Sequence, residues 1–345
     1  MKKIVLLCPY FGKFPNYFNY FLLSCKYNKN YNWIIFTDIS CEELNIPSNV
    51  TIYNMTFEEL KEIIQQKFDF KISLDRAYKL CDYKPAYGYI FKEYIQEYDF
   101  WGCCDIDVIY GNLDSFISNE ITNYDKIFLS GHFTLYRNTG FNNLLFETNL
   151  DYLFNKDIIN YDTLKNLMTY EDILTSKDIL VFDEDHGYFN IHYIYEKLNL
   201  CSYDNFSYIA DVAPSYYNLN LTRKIDNYYI VDEKKRNIMF IWDNGHLYGY
   251  YNDNSILKKE EFMYAHLQKR KMDIGNNFTF NEKNFGIVPN KFINNMSEIT
   301  NNDLKIYRKP DKTLKEYEIV VDKYKNMRIG TDLYRELIKR VRNYS

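Results

Sequence analysis

Short, wholly apolar runs alternate with helical spacings through the first hundred or so residues. Ile4–Cys8 is one continuous apolar run and predicts a strand covered on both faces. Tyr17–Lys26 reads as a helix, and Trp33-Ile34-Ile35-Phe36 as a second strand that stops at Thr37-Asp38. Thr56-Phe57-Glu58-Glu59 fits a capping box, in which Thr56 and Glu59 each accept the other's backbone N–H. Leu60, Ile63, Ile64 and Phe68 carry that helix onward. Pro85 suits the first turn of another helix, with Tyr89, Ile90, Tyr94 and Ile95 on its inner face. Phe100–Cys104 is again apolar throughout, and it ends abruptly at Asp105-Ile106-Asp107.

This alternation predicts an α/β fold with a mostly parallel central sheet flanked by helices. Beyond about residue 200 the runs shorten. Tyr228–Val231, Ile238–Trp242 and Leu247–Tyr251 read as strands, the last two divided by the turn signal Asp243-Asn244-Gly245. They predict a small antiparallel addition to the first layer. Near the end, Leu333, Leu337, Val341 and Tyr344 make one helical stripe, so a C-terminal helical tail is expected.

Charge and composition narrow the class. With 42 Lys+Arg against 47 Asp+Glu the net charge is -5, which argues against a nucleic-acid partner. Lys323–Ser345 nevertheless holds seven basic and two acidic residues. A basic amphipathic terminus of this kind predicts peripheral contact with an anionic membrane, the other reading being a helix docked on the body. No apolar run approaches the ~18 residues of a membrane span. Ile4–Cys8 is also shorter than the roughly 7–15 residues of a signal-peptide core. The seven cysteines are odd in number and match no zinc spacing, so a reduced, cytoplasmic protein is expected. The 36 Tyr and 25 Phe accompany abundant Asn, Lys and Ile, a codon-like bias that carries no functional signal.

Asp-x-Asp is uninformative as a bare pattern, since chance gives roughly two such triplets at this composition. Its setting is informative. Two carboxylates emerge where a buried strand stops, and open α/β sheets bind ligands outside the carboxyl ends of their strands. Neighbouring carboxylates repel unless a cation or proton intervenes. All-oxygen ligands suit Mg²⁺ or Mn²⁺, commonly completed by substrate phosphates.

The run Phe100–Gly111 resembles the metal-binding strand end of GT-A glycosyltransferases. Upstream, Lys79–Gly88 resembles the helix that precedes that motif, and downstream Tyr264–Lys271 resembles the late histidine segment over the donor pyrophosphate. Their order along the chain resembles a bacterial group of polysaccharide-associated glycosyltransferases. The resemblance spans residues 1–270 and implies a Rossmann-like sheet, a nucleotide-sugar-binding half (1–130), an acceptor-side half (131–270) and a C-terminal extension (271–345). It implies Asp105, Asp107 and His266 as ligands of Mn²⁺ or Mg²⁺, with Asp105 also touching the donor. Lys269 and Arg270 would neutralise the leaving diphosphate. Asp38 would read uracil or ribose, and Asp82 and Lys84 would approach the donor from the preceding helix. The implied activity is hexose transfer from a nucleotide sugar, with UDP as the expected carrier, to a glycan or lipid-linked glycan acceptor.

A second acidic cluster, Asp183-Glu184-Asp185-His186, follows the apolar run Ile179–Phe182. Asp185 or Glu184 is a candidate for the group that takes the acceptor's proton, or else simply opens a helix. His132 and Arg137, in a segment read as linking a strand to a helix capped by Asn138 or Thr139, are candidate polar handles. Two other readings stand beside transfer. One is a haloacid-dehalogenase-type phosphatase with Asp105 as nucleophile, although that family carries its motif on the first strand. The other is a glycan- or nucleotide-binding protein without turnover.

Overall fold

A computed structural model describes residues 2–117, 121–128, 131–147, 169–179, 195, 198, 200–202, 209–211, 218–225, 228–267, 271–275, 278–288 and 291–306. The basic tail predicted after residue 323 lies outside the described residues.

The apolar runs read from the sequence form the centre of the first sheet. β1 (Ile4–Pro9), β2 (Tyr31–Thr37), β3 (Val50–Asn54) and β4 (Phe100–Cys104) are mutually parallel where they pair. β5 (Val108–Tyr110) leaves this sheet, which β6 (Lys126–Ile127), β7 (Phe133–Arg137) and β8 (Cys201–Ser202) complete. The order is β3-β2-β1-β4-β7-β6-β8, with β7 antiparallel to both its neighbours. Alternation along β1 feeds two separate cores. Val5 and Leu7 pack into one layer, and Ile4, Leu6 and Cys8 into the other. A strand buried on both faces has no polar positions to show, which is why its sequence is an unbroken apolar run.

Helix α1 (Phe18–Tyr27) is buried nearly all round. Phe18, Phe21, Leu22 and Cys25 meet the first sheet, whereas Tyr20 and Leu23 meet a second one. Helix α2 (Phe57–Gln65) carries the expected capping box, with the Thr56 hydroxyl accepting from the Glu59 N–H at 3.2 Å. The helix expected from Pro85 is much shorter than its spacing suggested. Residues Ala77–Ala86 are 3-10 and contain Pro85, and only α3 (Tyr87–Ile90) is α-helical. Buried demands on successive side chains (Lys79, Leu80, Asp82, Tyr83, Lys84) override the period of 3.6. Residues 133–137, expected within a linking segment, are β7, because Phe-Thr-Leu-Tyr is β-prone and buried on both faces. The Thr139 cap on α4 (Gly140–Leu144) is present, accepting the Asn142 N–H at 3.1 Å.

The later strands are β9 (Ile209–Asp211), β10 (Asn218–Ile225), β11 (Tyr228–Asp243), β12 (His246–Asp253), β13 (Ile256–Phe262), β14 (Tyr264–His266), β15 (Asn284–Val288) and β16 (Lys291–Asn294). Most of them form a six-stranded sheet of their own, β13-β12-β11-β15-β16 with β10 on β11. It is therefore larger than the small addition expected, and it joins the first sheet through α1. The predicted turn is present. Asn244 and Gly245 both have positive φ (48° and 92°), as a two-residue hairpin turn needs. Among the described residues, no helix is long and apolar enough to cross a membrane.

Gly102, midway along β4, is packed too closely for any side chain. An added Cβ would strike the Thr134 carbonyl oxygen, 2.7 Å from Leu135 Cδ2 and 2.9 Å from Leu6 Cδ2. Overpacking costs about 1–3 kcal/mol, and a backbone oxygen inside a sheet cannot rotate away. Gly102→Ala should lower the urea midpoint by that equivalent, with the unfolding slope unchanged.

Candidate metal centre

The sheet changes direction between β1 and β4. β2 and β3 extend to one side, β4 and its antiparallel neighbours to the other. The crevice beyond the carboxyl ends of two such strands is where ligands enter open α/β sheets. Tyr10 follows β1 there, and Asp105 follows β4. Past Cys104 the chain turns through Asp105–Asp107 and enters β5, in a three-stranded sheet ordered β5-β14-β9. Its antiparallel ladder sets His266 opposite Val108, and the Leu267 N–H donates to the Asp107 carbonyl at 2.8 Å. Strand pairing thus carries a histidine from far down the chain to the acid pair.

Asp107 and His266 are buried, at 5% and 9% exposure, and His266 Nε2 lies 3.5 Å from Asp107 Oδ1. One donor atom from each of Asp105, Asp107 and His266 falls within 4.8 Å of the others. Adjacent ligands on a small octahedral ion, with bonds of about 2.1 Å, stand about 3 Å apart. The His266–Asp107 separation of 3.5 Å is already close to that spacing, and Asp105 is the partly exposed member of the set. Lys84 Nζ lies 3.1 Å from Asp105 Oδ1 and donates to the Gly131 carbonyl at 2.7 Å. Among the described residues, two carboxylates stand close together here and one of them, Asp105, is paired with an ammonium, a setting that suits a cation. Two oxygens and an imidazole are a donor set that could hold a metal ion.

The surroundings carry the imprint of that charge. Burial, then Asp107, Cys8 and Asp105, push the Tyr10 hydroxyl up to about 12. It stays protonated and donates to the Lys13 carbonyl at 3.1 Å. Beneath the acids, the hydrogen bond with Cys104, followed by burial, raises Cys8 well above an ordinary thiol. It remains a thiol at neutral pH and is no nucleophile.

Of the residues singled out in the sequence, Asp105, Asp107, His266, Lys84 and His132 come together, the His132 ring stacked on that of His266. Asp38 lies on the same edge, exposed after β2, and accepts the Gly12 N–H at 3.4 Å. Asp82, expected to approach the donor, has no exposed surface in this structure. It is fully buried against Lys79 Nζ at 2.7 Å, and that ammonium also donates to the Ile173 and Asp178 carbonyls. Arg137 is not at the site either. It pairs with Phe100, at the opposite end of β4 from Asp105, and its guanidinium binds Asp125 and the Thr122 carbonyl. Glu184, Asp185, Lys269 and Arg270 lie outside the described residues. Tyr264, not singled out in the sequence, has its hydroxyl 2.7 Å from His132 Nδ1. Tyr264 had a usable signal, because it stands two residues before His266 on one strand and so shares its face.

The profile of a family of unknown function (DUF6625) matches residues 6–296, and the chain belongs to that family. No curated protein matches it.

Proposed function

We propose that this DUF6625 member is a metal-dependent glycosyltransferase of the GT-A kind, moving a hexose from a nucleotide sugar to a cell-surface glycan acceptor. The observation that carries the reading is the meeting of Asp105, Asp107 and His266 at the carboxyl end of β4, where the strand order reverses. Mn²⁺ or Mg²⁺ bound there would offset the negative charge that develops on a leaving nucleoside diphosphate. Asp105, Asp107 and His266 would hold it, and Lys84 would add a fixed positive charge beside Asp105. Asp38, on the same edge, is assigned to uracil or ribose, with UDP as the carrier. Lys269 and Arg270, just after His266, are assigned to the diphosphate. Asp185 or Glu184 is assigned to the acceptor's proton. The acid pair closes the fourth strand and not the first, which favours transfer over phosphatase chemistry. The basic tail is assigned to weak contact with anionic lipid, close to a lipid-linked acceptor.

A melting screen of UDP- and GDP-sugars with and without Mn²⁺ tests this. A ligand at 100 times its Kd stabilises the folded form by about 2.7 kcal/mol. A UDP-sugar should raise the melting temperature only when Mn²⁺ is present. No shift with any nucleotide sugar in either condition would overturn the proposal.

A further inference from the structure

We infer that His132 is a positioning residue for His266 and joins the two halves of the metal centre, an inference that rests on the metal-centre reading above. Alternation along β14 puts Tyr264 and His266 on one face, with Ala265 turned away between them. The His132 ring bridges these two side chains. Its Nδ1 is 2.7 Å from the Tyr264 hydroxyl, and its face lies on the His266 ring with centroids 4.2 Å apart and planes 27° from parallel.

The same residue reaches the acid side of the site through its backbone. Its carbonyl accepts the Asp105 N–H at 3.2 Å, and the preceding Gly131 carbonyl holds Lys84 Nζ at 2.7 Å. His132 is not one of the three grouped ligands. It touches one of them by hydrogen bond and another by stacking, so it fixes their relation without joining them.

Each contact has a physical consequence. An imidazole turns readily about its Cβ–Cγ bond, where the torsion is broad. A flat neighbour on its face restricts that turn, and His266 Nε2 stays directed at Asp107, 3.5 Å away. The neighbour must itself be held, and the hydrogen bond to Tyr264, a fully buried side chain on the strand of His266, does this. Losing a hydrogen-bonded outer partner of a metal-ligating histidine typically costs 10–100-fold in metal affinity, and a stacked partner should fall at the low end of that range.

Mn²⁺ binding to the full chain, followed by electron paramagnetic resonance without any nucleotide, tests the idea. The protein should bind Mn²⁺ with a directly bonded ¹⁴N coupling from His266, and Asp107→Ala should not bind. His132→Ala should bind about 10-fold more weakly and lose most of the nitrogen coupling, with a metal-free melting temperature lowered only by the loss of one partly buried hydrogen bond. His132→Phe keeps a flat face without the bond to Tyr264 and should recover part of both. Should His132→Ala fail to fold, His132→Leu takes its place, being bulky without a flat face. Native affinity and coupling in the Ala or Leu variant overturn the positioning role but leave the metal centre standing. So does a Phe variant as weak as Ala or Leu. No Mn²⁺ binding by the unaltered protein overturns the metal centre itself.

Discussion

Asp107→Ala should abolish Mn²⁺-stimulated hydrolysis of the sugar nucleotide and leave the metal-free melting temperature close to that of the unaltered chain. The two halves of this outcome have separate reasons. Asp107 is the most buried carboxylate of the site, beside His266, so little water can replace it as a ligand. Removing it leaves one partly exposed carboxylate, already engaged by Lys84, and one imidazole. Metal affinity should fall below measurement at millimolar Mn²⁺. The charge stabilisation of the leaving diphosphate goes with it, and losses of one such preorganised group run to 10²–10³-fold. The fold should tolerate the change because the metal-free site holds like charges together, and deleting one relieves repulsion. The backbone bond from the Leu267 N–H to the residue-107 carbonyl is kept. The measurements are donor hydrolysis at saturating Mn²⁺ and melting in chelator. Undiminished turnover would remove Asp107 from the site, and a collapsed melting transition would make its role structural.

What the sequence made legible follows from the range over which each signal acts. β1 and β4 were readable because burial on both faces leaves an unbroken apolar run, and the carboxylates after Cys104 mark where it ends. The capping box at Thr56 was readable because all its contacts lie within four residues. His266 was reachable only by resemblance, since no local feature tells that β14 pairs with β5. Tyr264 was hidden for another reason. Among 36 tyrosines, one that happens to share a face with a ligand does not stand out. β11 was split in two by the polar run Asp232–Arg236, whereas pairing with β10 on both sides of that run, across a register shift, keeps it one strand. Lys79 and Asp82 look like an ordinary exposed pair at spacing i, i+3. Distant chain makes them interior: the Ile173 carbonyl of α5 (Tyr170–Thr175) and the Asp178 carbonyl after it both accept from Lys79.

That buried pair sets the second large effect. Both side chains are 0% exposed, with Nζ to Oδ2 at 2.7 Å. Asp82→Asn would leave the Lys79 ammonium inside without its counter-charge, and breaking one partner of a buried pair costs about 3–5 kcal/mol. For a chain of this size that corresponds to a fall in melting temperature of roughly 4–7 °C. Replacing both members with apolar residues of similar volume is often neutral elsewhere. Here it should rescue only part of the loss. The Lys79 ammonium also serves the Ile173 and Asp178 carbonyls, and each buried acceptor left unpaired costs about 1–3 kcal/mol. The double variant Lys79→Met, Asp82→Leu should therefore melt between Asp82→Asn and the unaltered protein. The opposite result is equally readable. If Asp82→Asn melts normally and raises only the KM for the sugar nucleotide, Asp82 is a donor contact, and the ion pair holds nothing together.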